Sequence, residues 1–197
     1  MRAIMTNIAG LTQCVGDPGC FYLPEPLGQL PRIIVSTHVD DMAGYGTPIA
    51  LQAFEKAVET EVELEKLGKP TKLLGMELTW TEGSNKTVKL TQRDSIEKLI
   101  KEHNITTTRH SLPVNPEGYE TPTDNEILPT QMITKYQSLV GSLLYINRMT
   151  RPDISIHVNL LGRRTSKPGN NNMKTAIQLT QYLQGMLSGM FSFCRRA

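Results

Sequence analysis

Cysteine, tryptophan and long apolar runs are scarce in this 197-residue chain, and each scarcity excludes something. Cys14, Cys20 and Cys194 make an odd count with neither C-x-x-C spacing nor nearby His pairs. That argues against a zinc site or a disulfide framework, and the three read as reduced thiols. No stretch of about 18 apolar residues occurs, which leaves no transmembrane candidate. The opening MRAIMTNIAGLTQC is too polar for the core of a secretory signal, so a cytoplasmic or nuclear address is expected, without membrane attachment. His103, His110 and His157 have no ligand-like spacing, and no internal repeat is present.

Charge is nearly balanced at +2 but unevenly placed. From Arg148 to the end, eight basic residues face one acid, Asp153, a local balance of +7; the remainder carries 13 basic and 18 acidic residues. Such asymmetry fits either a polyanion partner for the C-terminal part or a solvated helical surface.

The local patterns imply an α+β chain. GCFYL, RIIVSTHV and MAGYG read as strands, with the Pro/Gly-rich LPEPLGQLP as a connecting loop. Thr47 is a candidate N-cap with Pro48 at the first helical position. Leu51, Phe54, Val58, Val62 and Leu64 follow as a buried stripe, and Gly68 is the expected stop. TKLLGMELTW and KTVKLTQ alternate as strands around TEGSN, a hairpin-type link. RDSIEKLIKEH is amphipathic through Ile96, Leu99 and Ile100, the Pro-rich stretch from Leu112 to Pro129 reads as an extended linker, and the remainder is helical in pattern.

The most informative segment is IIVSTHVDDMAGYG, a hairpin with adjacent carboxylates, Asp40 and Asp41, at its tip. Two carboxylates this close raise each other's pKa unless a cation sits between them. Hard oxygen ligands select Mg²⁺, which takes one or two protein carboxylates and completes its shell with water and phosphate oxygens. Paired ions of this kind drive phosphoryl transfer, whereas an exposed Asp-Asp turn with no ligand is the plain structural alternative.

A strand ending in His38-Val39-Asp40-Asp41 resembles the palm motif of reverse transcriptases, an aromatic residue followed by any residue and two aspartates. The likeness continues in order along the chain and resembles copia-type LTR retrotransposon polyproteins: DPGCFY before the hairpin, KLLGMEL after the helix, then LTQRDSIEKLIKEHNI. YQSLVGSLLYINRMTRPDISIHVNLLGRRTSKP follows, resembling the family's Tyr-x-Ser-x-x-Gly-x-Leu-x-Tyr segment with its Thr-Arg-Pro-Asp-Ile, and AIQLTQYLQGMLSGMFSF resembles the connection toward ribonuclease H.

This resemblance implies a partial polymerase palm of antiparallel hairpins with a packed helix over residues 1–92. The start of a thumb would follow at 93–111, a linker at 112–130 and a mainly helical thumb/connection region at 131–197. It implies Mg²⁺ as cofactor, with Asp40 and Asp41 as catalytic, metal-associated residues, and template-primer RNA/DNA and dNTPs as partners. His38 stands where the family has Tyr or Phe and would stack near the primer end. Gly75 would let the backbone approach the primer, or would mark a β-bulge. Arg151 would meet nucleic-acid phosphate, or serve the local fold with Pro152 and Asp153. Tyr136, Leu143, Tyr145 and Ile146 are expected in the core, and Trp80 in strand packing.

The family's third metal-binding aspartate belongs to an earlier palm strand, and no matching motif stands among the 37 residues before His38. The expectation is therefore a fragment of an RNA-directed DNA polymerase that is inactive alone, with an upstream polyprotein segment as the partner that would complete it. A noncatalytic nucleic-acid-binding remnant and an unstable product without function are the alternatives. The intact family works in cytoplasmic virus-like particles, and the chain is not expected to be secreted.

Overall fold

In a computed structural model, residues 2–23, 32–39, 41–81, 87–187 and 191–194 are described, the last four by their backbone. The LPEPLGQLP connector, most of TEGSN, Arg195, Arg196 and Asp40 itself fall largely or wholly outside these residues. The chain divides into two compact units, Met1–Gly68 and Lys69–Ala197.

In the first unit, period-two alternation produces an antiparallel sheet of order β1-β2-β3-β4: β1 (Thr12–Gln13), β2 (Cys20–Leu23), β3 (Ile33–His38) and β4 (Asp41–Gly46). Phe21, Ile33 and Val35 are all but fully buried, whereas Ile34, between two of them, is 38% exposed. One face is therefore core and the other open. Met5, from a π-helical turn at Ile4–Ile8, and Leu11 complete the core, and Leu51 and Phe54 of helix α1 (Pro48–Glu59) cover it. A Cβ at Gly44 would stand 3.2 Å from Leu51 Cδ2, so glycine lets α1 lie close on the sheet.

Thr47 caps α1 as expected, its Oγ1 accepting from the Ala50 amide at 3.3 Å, but the helix ends at Glu59 rather than near Gly68. Beyond it, Glu61, Val62, Glu63, Leu64 and Glu65 alternate with a period of two, which no helical face can sort into apolar and polar sides. The chain folds back instead, and Lys66 Nζ reaches Glu59 at 2.8 Å and Glu55 at 3.1 Å.

The second unit opens with β5 (Lys72–Leu73), β6 (Met76–Thr81) and β7 (Thr87–Thr91), then α2 (Arg93–Glu102), α3 (Thr130–Met149), α4 (Ser155–Gly162) and α5 (Asn170–Gly185). A further strand, β8 (Phe191–Cys194), adds to β7 in a second antiparallel sheet, order β5-β6-β7-β8. The helical pattern expected to the end of the chain thus gives way to strand after α5. Tyr136, Leu139, Leu143 and Ile146, at helical spacing on α3, anchor a core shared with Leu99, Ile154, Leu161, Leu179 and Leu183. Glu77 on β6 caps α2: its carboxylate accepts from the amides of Arg93 at 2.8 Å and Asp94 at 3.1 Å, satisfying donors that every helix start leaves open.

Two boundaries differ from the sequence expectation. The hairpin of β6 and β7, expected to close a palm at residue 92, belongs to the same compact unit as the helices. The stretch expected as a linker at 112–130 is bound along its length. Asn172 Nδ2 donates to the carbonyls of Gly118 and Glu120, Arg164 Nε donates to that of Tyr119, and Leu128 N donates to Pro168 O. Its proline content hid this, because a strap held by partners on distant helices leaves no periodic signal in its own residues. Among the described residues no helix is long and apolar enough to cross a membrane.

Candidate functional site

The acidic tip rests on a ladder that runs without slippage from Ile33↔Gly46 to His38↔Asp41. Since Ile33 and Val35 point into the core, alternation places Ile34, Ser36 and His38 on the open face, with Tyr45, Ala43 and Asp41 opposite them. Only Val39 and Asp40 connect the two strands, and Val39 holds φ at 54°. A β-branched residue rarely adopts this conformation, and such outliers gather at functional sites and tight turns. His38 and Asp41 are exposed, and neither side chain has a hydrogen bond or ion pair among the described residues.

Mg²⁺ favours carboxylate, phosphate and water oxygens as ligands, and His38 and Asp41 supply one carboxylate, that of Asp41. Among the described residues no group of three His, Cys, Asp or Glu side chains could hold a metal ion. The adjacent Asp40 lies outside them. Asp41 alone does not make a divalent-cation site, which needs further oxygen ligands.

Gly75 lies in the second unit, in the two-residue turn joining β5 to β6. Leu74 and Gly75 both have positive φ, 48° and 73°, the geometry of a type I′ hairpin turn rather than a bulge. Tyr145 of α3 donates its hydroxyl to the Leu74 carbonyl, and a Cβ at position 75 would run into that hydroxyl. The glycine thus has a steric reason within its own fold. Tyr145, expected in the core, is instead 38% exposed and works as a strut for this turn; Tyr136, Leu143 and Ile146 are buried as expected.

Arg151, considered for a phosphate contact, is only 3% exposed and committed inside the protein. Its Nε and Nη2 donate to the two Asp153 carboxylate oxygens at 2.9 and 2.8 Å, and Nη1 donates to the Met186 carbonyl at 3.0 Å. Tyr182 donates to Asp153 at 3.0 Å and offers its ring to the guanidinium. Burial pushes the Asp153 carboxyl up, but the hydrogen bonds and charge of Arg151, helped by Tyr182, outweigh it and hold the group below its usual value. Of the two readings, the local structural one fits. Tyr182 was not foreseen, because 29 residues separate it from Asp153.

Two further groups escaped the sequence reading. Buried Gln92, just before α2, accepts from the Thr150 hydroxyl at 2.7 Å and so ties the start of α2 to the end of α3. Between α2 and α3 lies a groove of about 430 Å³ floored by Leu99 and Ile146, with Ser138, Gly141 and Tyr145 on its wall. The Tyr-x-Ser-x-x-Gly-x-Leu-x-Tyr segment therefore splits by side: Tyr136 and Leu143 build core, while Ser138, Gly141 and Tyr145 face the groove. Trp80 sits on β6, its indole donating to the Pro70 carbonyl at 2.7 Å and its ring beneath Lys69.

The known proteins that match this chain include two from transposons. The chain is 30% identical over 178 residues to a Saccharomyces cerevisiae protein named for the transposon Ty5-1, covering 88% of this chain and 55% of that protein. It is 28% identical over 170 residues to the retrovirus-related Pol polyprotein from transposon TNT 1-94 of Nicotiana tabacum, covering 82% of this chain and 12% of the polyprotein. The chain thus spans about half of the first relative and a small part of the second. These matches support a retrotransposon polyprotein origin. No family model matches the chain, and no solved structure matches it.

Proposed function

We propose that this chain is the palm, thumb and connection part of a retrotransposon reverse transcriptase, with Asp40 and Asp41 as its Mg²⁺-associated carboxylates. The observation that carries the reading is the hairpin register, unbroken to His38↔Asp41, which sets Asp41 at the end of a strand pair; Asp40 precedes it in sequence. Similarity to transposon proteins over most of the chain supports it. In this reading the partners are an RNA/DNA template-primer and dNTPs, His38 lies near the primer end, and the Leu74–Gly75 turn approaches the primer strand. The place of action is the cytoplasm or nucleus.

The isolated chain is proposed to be catalytically incomplete. Two-metal transfer needs ligands around both ions, and losing one member of such a unit removes most of its effect. A separate polyprotein segment would supply the remaining carboxylate. The test is primer extension on an RNA template with Mg²⁺ or Mn²⁺: the isolated chain should not exceed an Asp40→Ala, Asp41→Ala control, and measurable extension above that control would refute incompleteness. Fusion to a segment bearing the third aspartate strand should restore synthesis that depends on Asp40 and Asp41.

The charge split favours a second reading, a noncatalytic nucleic-acid-binding remnant, since the region from Arg148 onward carries eight basic residues against one acid. Affinity for an RNA/DNA hybrid should then fall steeply with salt, by roughly one unit of log K per tenfold salt for each phosphate neutralised. Salt-independent binding would remove this reading.

A further inference from the structure

We propose that Cys14 and Cys20 form a cross-strand dithiol site that closes to an intramolecular disulfide under a peroxide oxidant. The pairing of β1 with β2 runs Thr12↔Tyr22 and Gln13↔Phe21, and one more step sets Cys14 opposite Cys20. The Cys14 amide donates to the Cys20 carbonyl at 2.8 Å. Opposed residues of this hydrogen-bonded kind have Cα atoms about 5.5 Å apart and side chains on one face. That spacing lies inside the range a disulfide spans, about 4.4–6.8 Å.

Local features ease closure. The second hydrogen bond of an ideal pair is missing here, because the Cys20 amide turns aside to the Asp17 carbonyl at 3.0 Å. The ladder is loosening at this point, which gives the two Cβ–Sγ bonds room to reach a disulfide dihedral. Phe21 points into the core, so Cys20 points to the open face, and both thiols are half-buried and unbonded to one another. The site also has a place relative to the acidic tip. Cys20 pairs with Ser36 and Ser36 with Ala43, and two residues further along β3 stand His38 and its partner Asp41. The thiol row is therefore about 7 Å along the strand from the tip row.

The order of steps follows from charge. Burial, the neighbouring Cys14 and Asp17 all raise the Cys20 thiol's pKa and so disfavour its thiolate, and the attack is assigned to Cys14. Its thiolate attacks one oxygen of hydrogen peroxide and breaks the O–O bond, giving a sulfenic acid and a hydroxide that takes up a proton to become water. The Cys20 sulfur then displaces the hydroxyl group from Cys14, forming the S–S bond, and the Cys20 proton leaves with that hydroxyl as a second water. Two thiols give up two electrons and one peroxide accepts them.

The test uses the whole chain, folded, with equimolar hydrogen peroxide, quenched with an alkylating agent and mapped by peptide mass spectrometry. The expected product is one Cys14–Cys20 linked peptide lighter by two hydrogens, reversed by a thiol reductant, with Cys194 alkylated. In Cys20→Ser, Cys14 should instead be trapped as sulfenic acid by a dimedone-type reagent. Oxidation of Cys14 to sulfenic or sulfinic acid with Cys20 left alkylated in the wild type would overturn the proposal. A dominant link to Cys194 would overturn it equally.

Discussion

The two units spend their sequence differently. The first buries a small cluster led by Phe21, Ile33 and Val35, and leaves the other face of its sheet open, with Tyr45 73% exposed beside the acidic hairpin. The second builds a large core on α3 and α5 and engages its conspicuous polar groups internally: Arg151 with Asp153, Gln92 with Thr150, Glu77 with the start of α2. Chemistry-bearing residues with no partner among the described residues are candidates for an outside ligand, whereas those tied to partners within the fold serve architecture. By that criterion His38 and Asp41 are candidates and Arg151 is not.

The largest effects should come from the cores. Leu139→Ala removes a fully buried side chain from the larger cluster and should cost about 4 kcal/mol, while Ile33→Ala, in the smaller cluster, should cost about 2 kcal/mol. Urea denaturation measures both, and equal losses would break the contrast between the units. Next, Arg151→Leu should destabilise by about 2–3 kcal/mol, at or below the low end of the roughly 3–5 kcal/mol for a broken buried pair, because Asp153 keeps some access to water. Exposed Arg148→Ala should stay within about 0.5 kcal/mol. An Arg151 variant of native stability but weakened hybrid binding would return that residue to the nucleic-acid surface.

pH sharpens the same comparison. The Asp153 carboxyl is held below its usual value in the folded chain, so its contribution is complete above the unfolded pKa near 3.8 and is lost as pH falls through the lowered folded value. Asp153→Asn should flatten that acid limb. Tyr136 behaves oppositely: burial raises its phenol well above 10, and its hydroxyl donates to the Leu161 carbonyl at 2.8 Å. The unfolded chain then releases this proton first, so stability is full below pH 10 and declines above it. Tyr136→Phe should reduce that decline, to which Tyr119 and Tyr182, also raised by burial, contribute as well. Effects smaller than the core losses belong to the β5–β6 turn, where Gly75→Ala should cost about 1 kcal/mol or more and Tyr145→Phe about 1 kcal/mol. A double variant should lose less than the sum, since removing the hydroxyl relieves the clash.

Much of the strand and helix pattern was legible because it is local. Alternation around Ile33 and Val35, the Thr47-Pro48 start of α1 and the α3 stripe all carry their own signal. What stayed hidden depends on partners far along the chain. The strap at 112–130 is held by Arg164 and Asn172, Gly75 is explained by Tyr145, and Arg151 is completed by Tyr182 and Met186. The early end of α1 is readable in principle from the alternating glutamates after Glu59, but the apolar Val62 and Leu64 mimic a continuing stripe. At the tip, sequence and structure agree on a hairpin, and the register adds which face His38 and Asp41 occupy.

The central claim is that the adjacent aspartates at this hairpin attract a divalent cation. Paramagnetic broadening of backbone amide resonances by substoichiometric Mn²⁺ tests it directly on the folded chain, with Asp40→Asn, Asp41→Asn as control. Broadening centred on residues 38–42, abolished in the control and competed by Mg²⁺, is the predicted result. Broadening confined to the glutamate-rich segment at 55–65, or unchanged by removal of both aspartates, would contradict the account.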